Sequence, residues 1–151
     1  MTHYLYPARL RRDADGRTLV SFPDLPEALT DGADEAEALI EARDCLSEAL
    51  MNRLTHGETV PAPSAPKRGQ RLIPPDPLVA AKAALYRALA EQGITISELA
   101  RRLGADRKNV RRLLDPRHRS TLSGLAEALS AVGGALSVVV DEPPARAEAA
   151  D

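Results

Sequence analysis

Five side chains able to bind a polyanion crowd into six consecutive positions: Arg107, Lys108, Asn109, Arg111 and Arg112, with Val110 the one apolar member. Arg117, His118 and Arg119 follow just beyond Pro116. On a helix, Val110 and Leu113 share a face, so the cations fall on the opposite one. Such a face can simply keep a helix soluble. It can also pair with phosphates, and Arg or Lys can read guanine O6 and N7 in a major groove. Arg107, Lys108 and Arg112 occupy the positions suited to base edges, and the Arg117–Arg119 loop is suited to clamping a phosphate.

Other chemistry is poorly supplied. His3, His56 and His118 lie in separate segments without metal-ligand spacing. Cys45 falls among Ala38, Ala42 and Ala49 on one helix flank and reads as a buried spacer rather than a nucleophile. Asp24, Asp31 and Asp44 read as solvated carboxylates rather than a metal cluster, and there is no glycine-rich phosphate loop. No enzyme, metal or cofactor is expected.

The cations need a scaffold, and Ile94–Leu114 (ITISELARRLGADRKNVRRLL) supplies one. Thr95 with Glu98 predicts a capping box opening one helix, and Asp106 predicts a cap for the next. Ala100 is small where two helices must cross closely, and Gly104 can take positive φ in the turn between them. Val110 and Leu113 then turn back toward Leu99 and Leu103. This spacing resembles the helix-turn-helix of the lambda-repressor/Cro family. One position departs from that family: its leading helix often opens with a phosphate-binding glutamine, and here stands Ile96. The resemblance then leaves that contact to Ser97 or to backbone N–H groups.

The chain has 151 residues, 44% hydrophobic and 28% charged, enough for one ordinary domain or two small ones. Aromatics make up 3%, so the core must rest on Leu, Ala, Val and Ile. No apolar run is long enough to span a membrane, the single cysteine excludes an internal disulfide, and no secretory signal is expected from the opening residues. A cytoplasmic protein is expected. The net charge of −2 averages over three blocks: six Lys/Arg against twelve Asp/Glu in Met1–Pro66, thirteen against five in Lys67–Arg119, and one against five beyond. Opposite signs in separate blocks point to separate partners.

The elements follow the same division. His3–Arg12 and Arg17–Phe22 read as strands around an Asp13–Gly16 turn, with a short third strand around Ala28–Thr30. A helix follows from Asp34 to about His56, with Leu39, Leu46, Leu50 and Leu54 as its buried stripe. Residues 60–77 hold six prolines and predict a connection with a boundary near Pro66, although Gln70–Ile73 can pair as a short strand. Helices are expected at Leu78–Gln92, Ile96–Leu103, Arg107–Leu114 and Leu122–Val132, then a strand at Leu136–Val140. The fold class is thus α+β: a β-β-(β)-α unit over 1–66, a linker over 67–77, a helical unit over 78–140 closing on a short strand, and a disordered tail over 141–151.

The stretch from Tyr6-Pro7-Ala8 through Gly16, Phe22-Pro23-Asp24-Leu25-Pro26, Thr30, Gly32 and the Glu37-Ala38-Leu39 helix resembles the HicB antitoxin family. That resemblance implies a partial ribonuclease H-like fold without its metal-binding carboxylates. It also implies a small, basic, mRNA-cleaving HicA-type toxin as partner, sequestered by the acidic first unit. The helical unit would bind operator DNA as a homodimer or higher homo-oligomer and repress the protein's own operon. A free-standing regulator with a ligand- or protein-sensing first unit is the main alternative, and a nuclease the second.

Overall fold

Alternating side chains set the sheet in the computed structural model, which describes residues 1–146. In β1 (Tyr6–Arg12), Tyr6 and Ala8 are buried with Leu10 packed beside them; in β2 (Thr18–Phe22), Thr18, Val20 and Phe22 are buried. A period of two therefore turns one face to the core and leaves the Arg9/Ser21 and Arg11/Leu19 pairs on the other. Asp13 holds the intervening turn, its Oδ1 accepting the N–H groups of Asp15 and Arg17, both at 2.9 Å. β3 (Leu25–Gly32) is longer than expected: it pairs with β2 over Thr18↔Gly32 to Ser21↔Leu29 and, past a bulge, at Phe22↔Leu25. It is a sheet edge, where the N–H that Pro26 lacks is least missed.

α1 (Glu35–Thr55) covers that sheet. Asp34 caps it, accepting the Glu37 N–H at 2.8 Å, and the Glu37 carboxylate accepts the Ala33 N–H at 3.0 Å. Its buried stripe differs from the leucine stripe expected. Ala38, Ala42 and Ala49 are buried together with Leu46, Leu50 and Leu54, whereas Leu39 is only half-buried. Small residues let the helix axis lie close to the strands. Cys45 is likewise half-buried rather than a buried spacer, its Sγ 3.6 Å from the Leu29 carbonyl oxygen, and burial raises its pKa.

The proline-rich stretch does more than connect. Val60 is buried in the first core, the Tyr6 hydroxyl donates to Pro61 O at 2.8 Å, and Asp24 accepts the Ser64 N–H at 2.9 Å. β4 (Arg71–Ile73) then pairs antiparallel with β1, completing the sheet order β3-β2-β1-β4.

α2 (Pro77–Gln92) begins at Asp76, which caps it and whose own N–H reaches Ser47 Oγ on α1 at 2.8 Å. Two faces of α2 are apolar and serve different cores. Val79 and Ala83 pack in the first, with Tyr86 at its margin; Ala81, Leu85 and Leu89 pack in the second. The second core is completed by α3 (Ile96–Leu103), α4 (Arg107–Leu114) and α5 (Leu122–Ala131), which contribute Leu99, Val110, Leu125 and Leu129.

Beyond α5 the expected closing strand is absent. Leu136 packs at the margin of the second core, but Leu136–Val140 forms no ladder, and Val138, Val139 and Val140 are 65%, 79% and 69% exposed. β-propensity alone does not make a strand without an edge to pair with, and none of the described strands lies alongside. Residues 141–146 are exposed without regular structure, and the rest of the expected tail, 147–151, lies outside the described residues.

Candidate nucleic-acid interface

Local signals shape the α3–α4 pair. Thr95 Oγ1 accepts the Glu98 N–H at 3.1 Å and starts α3. The return half of the expected capping box is missing, because the Glu98 carboxylate turns instead to Arg101, at 2.6 and 3.0 Å, and to Arg102 at 3.0 Å. These arginines pull the Glu98 carboxyl down to a pKa of about 2. Gly104 ends α3 at φ +61°, which lets the Ala105 N–H reach back to Ala100 O at 3.0 Å. Asp106 Oδ1 accepts the Asn109 N–H at 2.7 Å and opens α4 two residues after that glycine. Leu99, Ala100 and Val110 are buried at the crossing, and Leu103 and Leu113 are half-buried around them.

Burying Val110 turns the rest of α4 outward. Arg107, Lys108, Asn109, Arg111 and Arg112 are all exposed, as are Ser97 at the start of α3 and Arg117 and Arg119 beyond α4. Six arginines elsewhere are engaged, Arg17 with Asp31, Arg53 with Glu27, Arg71 with Glu35, Arg87 with Glu91, and Arg101 and Arg102 with Glu98, while among the described residues Arg9, Arg11, Arg12, Arg43 and Arg68 form no ion pair. Among the described residues, none of the six cations of α4 and its following loop forms an ion pair, the Arg112 guanidinium meeting only Asn109 Oδ1 at 3.5 Å. An open cationic face with no internal counter-charge is free to take an external anion.

The loop is anchored by a residue that the sequence did not single out. Lys82 of α2 is fully buried, and its Nζ donates to the carbonyl oxygens of Arg112 (3.1 Å), Asp115 (2.5 Å) and His118 (2.7 Å) and to Ser120 Oγ (2.9 Å). Burial lowers its pKa, and the nearby Asp115 charge opposes that. Its only sequence signal is one charge inside the apolar run Leu78–Leu85.

The first unit carries charge of both signs on different faces. Glu37, Glu41, Asp44 and Glu48 stand exposed on α1, beside a shallow groove of about 570 Å³ lined by Ile40, Asp44, Glu48 and Met51 among others. The open sheet face instead carries Arg9 and Arg11, with Lys67 and Arg68 at its rim. The acidic surplus thus belongs to the helix side. Asp24, Asp31 and Asp44 do not converge: Asp24 holds Ser64, Asp31 pairs with Arg17, and Asp44 lines the groove. Among the described residues no group of His, Cys, Asp and Glu is arranged to hold a metal ion, and no helix is long and apolar enough to cross a membrane.

Comparison with known proteins fits this division. The family model of the HicB-like antitoxin of bacterial toxin–antitoxin systems matches residues 5–84, the stretch whose buried side chains, Tyr6 to Ala83, build the first core. Antitoxin HicB of Escherichia coli K12 is 36% identical over 135 residues, covering 89% of this chain and 98% of that protein. Antitoxin HicB 1 of Photorhabdus laumondii is 34% identical over 136 residues, covering 90% and 86%, and Antitoxin HicB of Pseudomonas fluorescens is 32% identical over 127, covering 83% and 87%. With the match spanning more than half of the chain and these relatives nearly its whole length, the protein belongs to the HicB-like antitoxin family.

Proposed function

We propose that the protein sequesters a small HicA-type mRNA-cleaving toxin through its first unit and represses its own operon through its second. The first unit, an antiparallel meander backed by one long helix, is then a partial ribonuclease H-like fold used for binding alone. A basic RNA-cleaving partner is attracted to the acidic face of α1 rather than to the cationic open sheet. The α3–α4 pair is a helix-turn-helix of the lambda-repressor/Cro type, with α4 entering the major groove. Arg107, Lys108 and Arg112 face base edges there, Asn109 and Arg111 flank them, and Ser97, Arg117 and Arg119 take phosphates.

The observation that carries the DNA reading is the set of exposed cations on α4 and its loop that no acidic side chain of the described chain engages. One such motif reads only a few base pairs, so repression requires two copies on one operator. The exposed Val138–Val140 segment is an apolar stretch, without regular structure in the single chain, that a second copy can cover. Co-expression with the neighbouring reading frame, followed by pull-down and footprinting of the upstream DNA, tests both halves. Capture of a small basic ribonuclease and a palindromic footprint are expected. A chain that captures no such partner and protects no upstream DNA contradicts the reading.

A further inference from the structure

α2 and α3 end on left-handed glycines, Gly93 and Gly104, whose backbone N–H groups close the last carbonyls. α4 ends without a left-handed glycine, and its cap N–H closes one carbonyl, Arg111 O, at 2.8 Å. Its cap, Asp115, is extended at φ −75° and ψ 113°, and Pro116 follows, with no N–H to give. Carbonyls at the end of a helix must find donors elsewhere, and they carry the negative end of its dipole. Here the Ser120 hydroxyl donates to Arg112 O at 3.2 Å, and a charged donor arrives from another helix. The Lys82 ammonium sits among three carbonyls and one hydroxyl drawn from Arg112, Asp115, His118 and Ser120, and no carboxylate is among its hydrogen-bond partners. Three carbonyl oxygens around one nitrogen match the three protons of an ammonium, and Ser120 Oγ, whose own proton goes to Arg112 O at 3.2 Å, turns an acceptor lone pair to the same group. The same four residues bracket Arg117 and Arg119.

We propose that Lys82 is a positioning residue for DNA reading: its caged ammonium caps α4 and holds the 115–120 loop in register with it, so that Arg117 and Arg119 meet phosphates while α4 meets bases. This assignment rests on the DNA reading above. Lys82 itself touches no nucleic acid, because it is fully buried. It acts through the placement of the loop, and the contribution of Arg119 depends on it.

Two measurements on the full chain test this. The first is the side-chain ammonium spectrum of the unaltered protein, in which three lysines, Lys67, Lys82 and Lys108, can contribute. Lys82 is expected to give a slowly exchanging signal while exposed Lys67 and Lys108 exchange away. The second is a double-mutant cycle on upstream DNA with Lys82→Met and Arg119→Ala. Lys82→Met is expected to weaken binding about tenfold, and Arg119→Ala to weaken it about fivefold alone but less than twofold in the Lys82→Met background, as for residues that act as one unit. If Lys82→Met does not fold, Ser120→Ala, which removes one of the four oxygens, takes its place in the cycle and is expected to show the same non-additivity. Additive losses, or a Lys82 ammonium that exchanges as fast as Lys67, overturn the assignment. Failure of the unaltered chain to bind upstream DNA overturns the DNA reading itself, whereas normal binding with additive losses overturns only the role of Lys82.

Discussion

Gly32 shows how a single residue sets the distance between two elements. It ends β3 where α1 begins, and a Cβ there would stand 2.3 Å from Ala38 N and 2.7 Å from Ala38 Cα. Both neighbours are helix backbone, so no side chain can swing aside. Gly32→Ala must therefore push α1 off the sheet, and we expect a loss of about 3 kcal/mol. The check is a lower urea midpoint with an unchanged slope. The sequence placed Gly32 in a recognisable motif, but its physical reason depends on the helix that packs over it. Lys82 was hidden for the same kind of reason. Its partners lie 30 to 38 residues away and are mostly backbone carbonyls, which no side-chain pattern can announce. By contrast, Thr95, Gly104 and Asp106 were legible, because each of these end signals is settled within a few residues of itself.

Among the elements, the long amphipathic helix and the four helices of the second unit were legible from periodicity and end signals. The sheet was legible in its hairpin and in part beyond it, with a short third strand expected around Ala28–Thr30 inside β3 and Gln70–Ile73 able to pair where β4 forms. β4 comes from a stretch whose six prolines predict a connector, and it pairs with a strand more than sixty residues earlier. Residues 60–83 therefore matter to the first unit: Val60, Ile73, Val79 and Ala83 all lie in its core. A fragment ending at Pro66 loses β4 and the α2 contacts, and it is also marginal in size. Met1–Pro66 is expected to show no cooperative thermal transition, whereas Met1–Gln92, which keeps β4 and α2, is expected to melt cooperatively. A cooperative transition in the shorter fragment would show that the boundary near Pro66 is physically real.

For the whole molecule, α2 serves two cores at once, and the acidic face of α1 and the cationic face of α4 belong to separate units. The closing strand expected from Leu136–Val140 is missing because a strand is a property of a pair. If a second copy supplies the partner, Val139→Pro removes a ladder donor and is expected to give monomers that bind upstream DNA weakly. Sedimentation decides this, and an intact dimer would place the contact between copies elsewhere. The DNA-reading face is the account's centre, and its most direct test is the affinity of the full chain for its upstream DNA as a function of salt, for Arg112→Ala and Arg119→Ala. Arg112→Ala is expected to cost about 1–3 kcal/mol on the specific site and to relax its preference over unrelated DNA. Arg119→Ala is expected to weaken both DNAs alike and to flatten the salt dependence by about one phosphate contact. If both variants bind the operator as tightly as the unaltered chain at every salt concentration, α4 and its loop do not read DNA.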